Sequence, residues 1–265
     1  MIGLVLGLAA CASGSATPRE TDDAAIFREA RVEGAFVLRD LGTGAETVSN
    51  RALAGQAFLP CSTFKIPNTL VGLETGVIPD ERFSLRWDGV RRARPEWNRD
   101  TDLASAMRFS VVWFYQEVAR RIGPERMADW LRRLDYGNHD TSPRIDTFWL
   151  AGGLRVTAHE QVDFLTRLRA RTLPVTRAHA ELVERLIVLE DGEGWTLRGK
   201  TGLCETPEKN VGWLVGLADR GGHSWAYATL VLAPLPDAER LMPLRRTLTE
   251  RLLVRHGALP RDVLR

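Results

Sequence analysis

Residues 195–233, WTLRGKTGLCETPEKNVGWLVGLADRGGHSWAYATLVLA, change the period of the chain. Upstream, apolar residues recur every three or four positions. From Trp195 onward they alternate with a period of two, which predicts strands at 195–201, 211–217 and 225–233. The loops between them are short, so the three strands are neighbours in one sheet.

Working outward, residues 33–40 (EGAFVLRD) read as a strand, 41–44 (LGTG) as a turn and 46–49 as its partner strand. Residues 61–74 read as a helix closed by Gly76. Leu103, Met107, Val111, Phe114 and Val118 give residues 101–122 the pattern of one long helix that stops at Gly123-Pro124. A further helix opens at Pro124 and ends before Gly137. Thr157-Ala158-His159-Glu160 has the form of a capping box, and residues 237–256 read as a closing amphipathic helix. Strands at both ends with helices between them predict an α/β (α+β) fold. Its antiparallel sheet is made from both termini, flanked by helices, and interrupted by an all-helical lobe. The expected divisions are a leader at 1–16, a sheet lobe at 17–60 and 190–265, and a helical lobe at 61–189.

The 265 residues suffice for one large domain or two interleaved lobes. With 44% hydrophobic and 26% charged residues and a mean hydropathy of −0.17, the chain is neither disordered nor polytopic. A net charge of +2, without a concentrated basic face, excludes nucleic acid as the expected partner. The Arg91-Arg92-Ala93-Arg94 run reads as a solvated loop. Residues 2–10 are apolar or glycine and about half the length of a membrane span. They fit a secretory signal, and Leu8-Ala9-Ala10-Cys11 resembles a bacterial lipobox whose cysteine is lipidated. The expectation is an exported, periplasmic protein with a lipid anchor at Cys11.

Only Lys65, Lys200 and Lys209 among the 36 cationic residues are lysine. Arginine stays protonated, whereas a buried lysine can become neutral, so Lys65 and Lys200 are candidates for lysine chemistry. In Ser62-Thr63-Phe64-Lys65 the spacing of three puts hydroxyl and amine on one helical face. A neutral lysine there can take the serine's proton. Lys200-Thr201-Gly202 supplies positive potential, a hydroxyl for a carboxylate, and room for close approach to the backbone. Ser110-Val111-Val112 is the third element, read as mid-helix, where a serine alone signals little. The His residues (139, 159, 179, 223 and 256) lie far apart, without H-E-x-x-H or C-x-x-C spacing, so no metal is expected.

The order S-x-x-K, S-x-V, K-T-G resembles the penicillin-recognising serine acyl-transfer family. Pro60-Cys61-Ser62-Thr63-Phe64-Lys65-Ile66-Pro67-Asn68, Trp97-Asn98-Arg99-Asp100, Tyr136-Gly137-Asn138 and Phe148-Trp149-Leu150 narrow the likeness to class D (oxacillinase-type) β-lactamases. It runs from about Gly34 to the C-terminus and implies a β-lactamase/transpeptidase-like fold with its site between the lobes. It also implies hydrolysis of the β-lactam ring of penicillin-type antibiotics through a Ser62 acyl-enzyme. The resemblance further makes Lys65, carbamylated by carbon dioxide or bicarbonate, the general base, with no other cofactor. Trp149 would donate its indole N–H to that carbamate, and Phe64, Val112, Phe148 and Leu150 would keep the site apolar. The backbone N–H groups of Ser62 and Leu203 would form the oxyanion hole. Ser110 would pass a proton to the lactam nitrogen with support from Lys200. Thr201, Gly202 and Arg245 of Pro243-Leu244-Arg245 would receive the substrate carboxylate, although Arg246 competes for the last role. Tyr136 would shape the substrate pocket.

If Cys11 is lipidated, Cys61 and Cys204 remain. The resemblance sets the Lys-Thr-Gly strand beside Ser62. Carbapenem-hydrolysing class A enzymes bridge the matching positions, so a Cys61–Cys204 disulfide is expected, the alternative being two packed thiols. Two other functions share the acylation step. A β-lactam sensor acylates without turnover but carries membrane helices, and no apolar run after residue 10 approaches a span. A peptidoglycan transpeptidase carries Asn where this chain has Val112.

Overall fold

Residues 18–235 and 237–264 are described by a computed structural model. The leader and Cys11 lie outside them. The first elements are β1 (Arg19–Glu20), α1 (Ala24–Glu29), β2 (Glu33–Asp40) and β3 (Glu46–Ser49). A run rich in helices follows: α2 (Arg51–Ala54), a 3₁₀ turn (Cys61–Phe64), α3 (Lys65–Glu74), α4 (Leu103–Arg108), α5 (Val112–Ile122), α6 (Pro124–Leu134), α7 (Ala158–Ala170) and α8 (Arg177–Leu186). Within it, β4 (Ser84–Leu85) and β5 (Thr101–Asp102) pair as a small ribbon. The chain then returns as β6 (Val188–Gly192), β7 (Trp195–Glu205), β8 (Asn210–Arg220), β9 (His223–Ala233) and α9 (Ala238–Arg255). Among the described residues no helix is long and apolar enough to cross a membrane.

The main sheet runs β1-β3-β2-β9-β8-β7-β6, so strands from both ends of the chain meet where β2 pairs with β9. Every neighbour is antiparallel except the short β1–β3 pair, a departure from the expected all-antiparallel sheet. The central strands read as nearly unbroken apolar runs because both faces of the sheet are covered. Trp213, Val215 and Leu217 of β8 join the core shared with the helical run, while Leu214 and Ala218 pack under α9 and α1. At about 25 cal/mol per Å² of apolar surface, this two-sided burial is the main stabilising contribution.

One predicted element is broken. Residues 101–122 form not one helix but α4 and α5, separated by Phe109–Val111, and Ser110 sits in the left-handed region at φ 56°. The apolar spacing continues in phase across the break, so periodicity alone reads a single helix. What marks the break is backbone bonding: the Trp97 indole donates to the Phe109 carbonyl at 3.0 Å, outside any helical ladder. Ser110 therefore lies at a strained corner instead of mid-helix.

Candidate active site

The site is assembled where the 3₁₀ turn opening α3 meets the strand β7. Cys61 adopts φ 55° and is disulfide-bonded to Cys204, with the Cα atoms 5.6 Å apart. This separation lies in the usual range for a bridge. A Cβ on Gly202 would come within 2.9 Å of the Pro60 carbonyl oxygen and 3.3 Å of Cys61 Cβ. Glycine at 202 is thus what lets β7 touch the Ser62 turn. The β6 pairing ends at Arg198, so along Lys200–Cys204 one edge of β7 bonds β8 and the Ser62 turn packs beside it.

Ser62 is half-buried, and the Lys65 Nζ lies 2.9 Å from its Oγ. Lys65 is 1% exposed and lies 5.3 Å from the centroid of the Tyr115 ring. Burial, with the charge of Arg94 second, pulls its ammonium down to about 7. No carboxylate is among the groups acting on it, so nothing offsets the loss of water. Lys65 can therefore exist as the neutral amine at ordinary pH, and only that form abstracts a proton or adds carbon dioxide.

Trp149 is fully buried, stacks on Phe64 at 5.3 Å, and accepts the Cys61 N–H on its carbonyl at 3.0 Å. Phe148 packs edge-on against both rings, at 5.0 Å from each. The Trp149 Nε1 has no acceptor among the described residues. A buried donor left unpaired costs about 1–3 kcal/mol. An anionic acceptor formed on the neutral amine of Lys65, the residue after Phe64, fits both features, so the residues present suit a carbamate.

Lys200 is 4% exposed and held far below its ordinary range by burial, then by the charges of Lys65, Arg245 and Arg94. Its Nζ donates to the Thr201 carbonyl at 3.0 Å. A cavity of about 880 Å³ opens along this end of β7, walled by Lys200, Thr201, Met107, Arg108 and Ile187. Ser110 follows Met107 and Arg108 at the corner between α4 and α5, and Val112 is the first residue of α5.

Of the two competing arginines, Arg245 faces the site. It is 7% exposed, and it donates to the carbonyls of Gly202 and, at 3.2 Å, Met242. Arg246 also lines the cavity, but its charge is paired with Glu190 and Glu250. Leu203 sits beside Gly202 on the same strand, opposite Gly212. Tyr136 is 1% exposed, and its hydroxyl contacts Gln161 Oε1 at 3.3 Å, while Gln161 Nε2 donates to Thr63 Oγ1 at 2.9 Å. It braces the Ser62 turn from behind, instead of lining an open pocket.

The geometry matches what a family comparison finds. The model of the penicillin binding protein transpeptidase domain matches residues 16–241. The chain is 38% identical to β-lactamase OXA-48 of Klebsiella pneumoniae over 88% of its own length and 87% of the relative's. It is 43% identical to the probable β-lactamase YbxI of Bacillus subtilis (strain 168), over 75% of this chain and 74% of that one. The chain belongs to the class D β-lactamase family. A crystal structure of a class D β-lactamase from Sebaldella termitidis superposes with a TM-score of 0.87 at 29% identity, covering 92% of this chain and all of the other.

Two residues of this class D site are absent from the sequence reading. Tyr115 carries the ring beside Lys65 and bonds Thr69 through its hydroxyl at 3.0 Å. Its place in S-x-V-x-x-Y is one turn past Val112, and a helical wheel that put Ser110 mid-helix hides it. Gln161 is a buried polar residue inside an amphipathic helix, a signal that sequence carries only once burial is known. Arg94 is exposed, as the reading of its run as a solvated loop expects, and lies against Met242.

Proposed function

We propose that the protein hydrolyses β-lactam antibiotics through an acyl-enzyme on Ser62. The observation that carries this reading is the 2.9 Å contact between Ser62 Oγ and a fully buried Lys65 whose ammonium titrates near 7. A buried, neutral amine within hydrogen-bond reach is what turns a serine hydroxyl into a nucleophile. Ser62 attacks the lactam carbonyl, and the Ser62 and Leu203 N–H groups receive the developing oxyanion. Ser110 delivers a proton to the departing nitrogen under the positive potential of Lys200. Thr201 and Arg245 hold the substrate carboxylate, the arginine by a charge-assisted bond.

Carbon dioxide held as a carbamate on Lys65 supplies a base for the Ser62 proton and later for the hydrolytic water. The unpaired Trp149 N–H and the aromatic lining support that reading. Export to an oxidising compartment, with Cys11 as a lipid anchor, agrees with the Cys61–Cys204 bridge, since such bonds persist outside the cytosol.

Steady-state turnover of a chromogenic cephalosporin is the test. Continued hydrolysis over many equivalents is expected. A single stoichiometric burst would instead identify a sensor or transpeptidase, which acylates and stops.

A further inference from the structure

Arg94 lies in the loop before the 3₁₀ turn Pro95–Trp97. Arg92 in the same loop pairs with Asp88, and on α9 Arg240 pairs with Asp237 and Arg246 with Glu190 and Glu250. Arg94 is exposed, and its guanidinium has a thioether and an aromatic ring as partners. Nη2 lies 3.1 Å from Met242 Sδ, and the group sits 5.5 Å from the Trp97 ring centroid. Both are weak partners for a full charge. Among the described residues no carboxylate pairs with it.

The loop that carries Arg94 is fixed. Asn98 accepts the Arg92 N–H at 2.7 Å and donates back to the Arg92 carbonyl at 2.8 Å. The Trp97 indole is tied to the Phe109 carbonyl, one residue before Ser110, and the Trp113 indole donates to the Trp97 carbonyl at 2.8 Å. The side chain therefore extends from an anchored base toward α9. It converges with Arg245 on one residue, Arg94 on the sulfur of Met242 and Arg245 on its carbonyl.

The electrostatics point the same way. Arg94 depresses the protonation of Lys65, Lys200 and Arg245, and no carboxylate is among the charged groups acting on any of the three. Arg94 and Arg245 are two guanidinium groups for which no carboxylate is a partner among the described residues, an arrangement that an external anion completes. Arg245 already gives N–H donors to Gly202 and Met242, whereas Arg94 has surrendered none to a strong acceptor.

We propose that Arg94 is a substrate-binding residue, whose guanidinium leaves Met242 for the carboxylate of a bound β-lactam and so selects anionic substrates. This rests on the hydrolysis reading above. The exchange replaces a thioether contact with a charge-assisted fork while the Trp97 face stays beneath the guanidinium. It makes recognition a two-lobe event, with Arg94 from the helical side and Arg245 from the sheet side.

The experiment compares benzylpenicillin with its methyl ester, which lacks the negative charge, in the wild type, Arg94→Met and Arg94→Lys. Arg94→Met keeps an unbranched, flexible stem and removes the charge. It should raise KM for the acid about 10- to 100-fold, the loss of a hydrogen bond to a charged group, with kcat moving much less. The ester's KM should stay at its wild-type value, and Arg94→Lys should recover part of the acid's. An unmoved KM for the acid, or equal shifts for acid and ester, would overturn the proposal while leaving hydrolysis intact. A wild type that turns over neither compound would overturn both this proposal and the reading beneath it.

Discussion

Cys61 and Cys204 are covalently joined, so the residue before Ser62 is fixed to the strand that carries Lys200, Thr201 and Gly202. The bridge spans a sequence separation of 143 and links the two segments whose contact defines the site. It also holds Cys61 in a left-handed conformation that a non-glycine residue adopts at a cost. Stability and the position of the nucleophile are thereby coupled.

Reduction with dithiothreitol, or the double change Cys61→Ser with Cys204→Ser, should therefore lower both. Removing a native bridge costs typically about 2–5 kcal/mol, and the chain-entropy model puts so long a loop near the top of that range. Thermal melts and turnover measured on the same samples check the coupling. Unchanged turnover in a destabilised, reduced protein would show that the bridge braces the fold without placing Ser62.

Gly202→Ala tests the same contact without touching sulfur. The new Cβ would meet the Pro60 carbonyl oxygen at 2.9 Å and Thr63 Cγ2 at 3.2 Å, and the disulfide prevents the two segments from separating freely. The Ser62 turn must shift, and a displacement near 1 Å can cost about 100-fold in rate. A large fall in acylation by a chromogenic cephalosporin is expected, with a smaller fall in melting temperature. Wild-type acylation would mean that the turn yields without consequence.

Much of this arrangement is legible before any coordinates. The apolar runs around Trp213 and Leu230 mark β8 and β9, and their burial on both faces, in place of the expected alternation, reflects a sheet covered on both sides. The Thr157 capping box forms as the spacing predicts, with both reciprocal bonds present. Ser62 and Lys65 are three apart on a tight turn, so local geometry brings them together. What sequence cannot show is set by distant partners. The corner at Ser110 preserves the apolar phase on both sides and leaves no compositional mark. The reach of Arg94 to Met242 joins residues 148 positions apart, and in a chain so rich in arginine nothing distinguishes it beforehand.

Trp149→Phe isolates the indole N–H. Phenylalanine keeps an aromatic face on Phe64 and removes a buried donor that has no acceptor, so folding stability should fall by less than a Trp→Ala truncation, which typically costs about 3–5 kcal/mol. If the N–H holds a carbamate on Lys65, the variant should need more bicarbonate for half-maximal activity, and deacylation should slow more than acylation. A bicarbonate titration of turnover reads this directly. An unaltered titration would detach Trp149 from the base.

The pH dependence follows from the burial of Lys65. Its ammonium titrates near 7 in the folded protein, against 10.5 as an ordinary lysine. Below about 7 the folded site must hold a buried charge, and the full penalty opposes folding. Between about 7 and 10.5 the unfolded chain binds the proton and the folded one does not, so stability rises with pH across that window. Lys65→Met should flatten part of the rise, leaving the share due to Lys200, which burial shifts in the same direction. Activity should climb over the lower end of this range, because the neutral amine is the form that accepts carbon dioxide or the Ser62 proton. At fixed low bicarbonate, kcat/KM should therefore increase through an apparent pKa near 7. Removing the charge of Arg94, the second cause of the shift, should move that limb to higher pH. Profiles of wild type and Arg94→Met against the benzylpenicillin methyl ester keep carboxylate binding out of the comparison. Superimposable limbs would show that the amine of Lys65 does not feel Arg94.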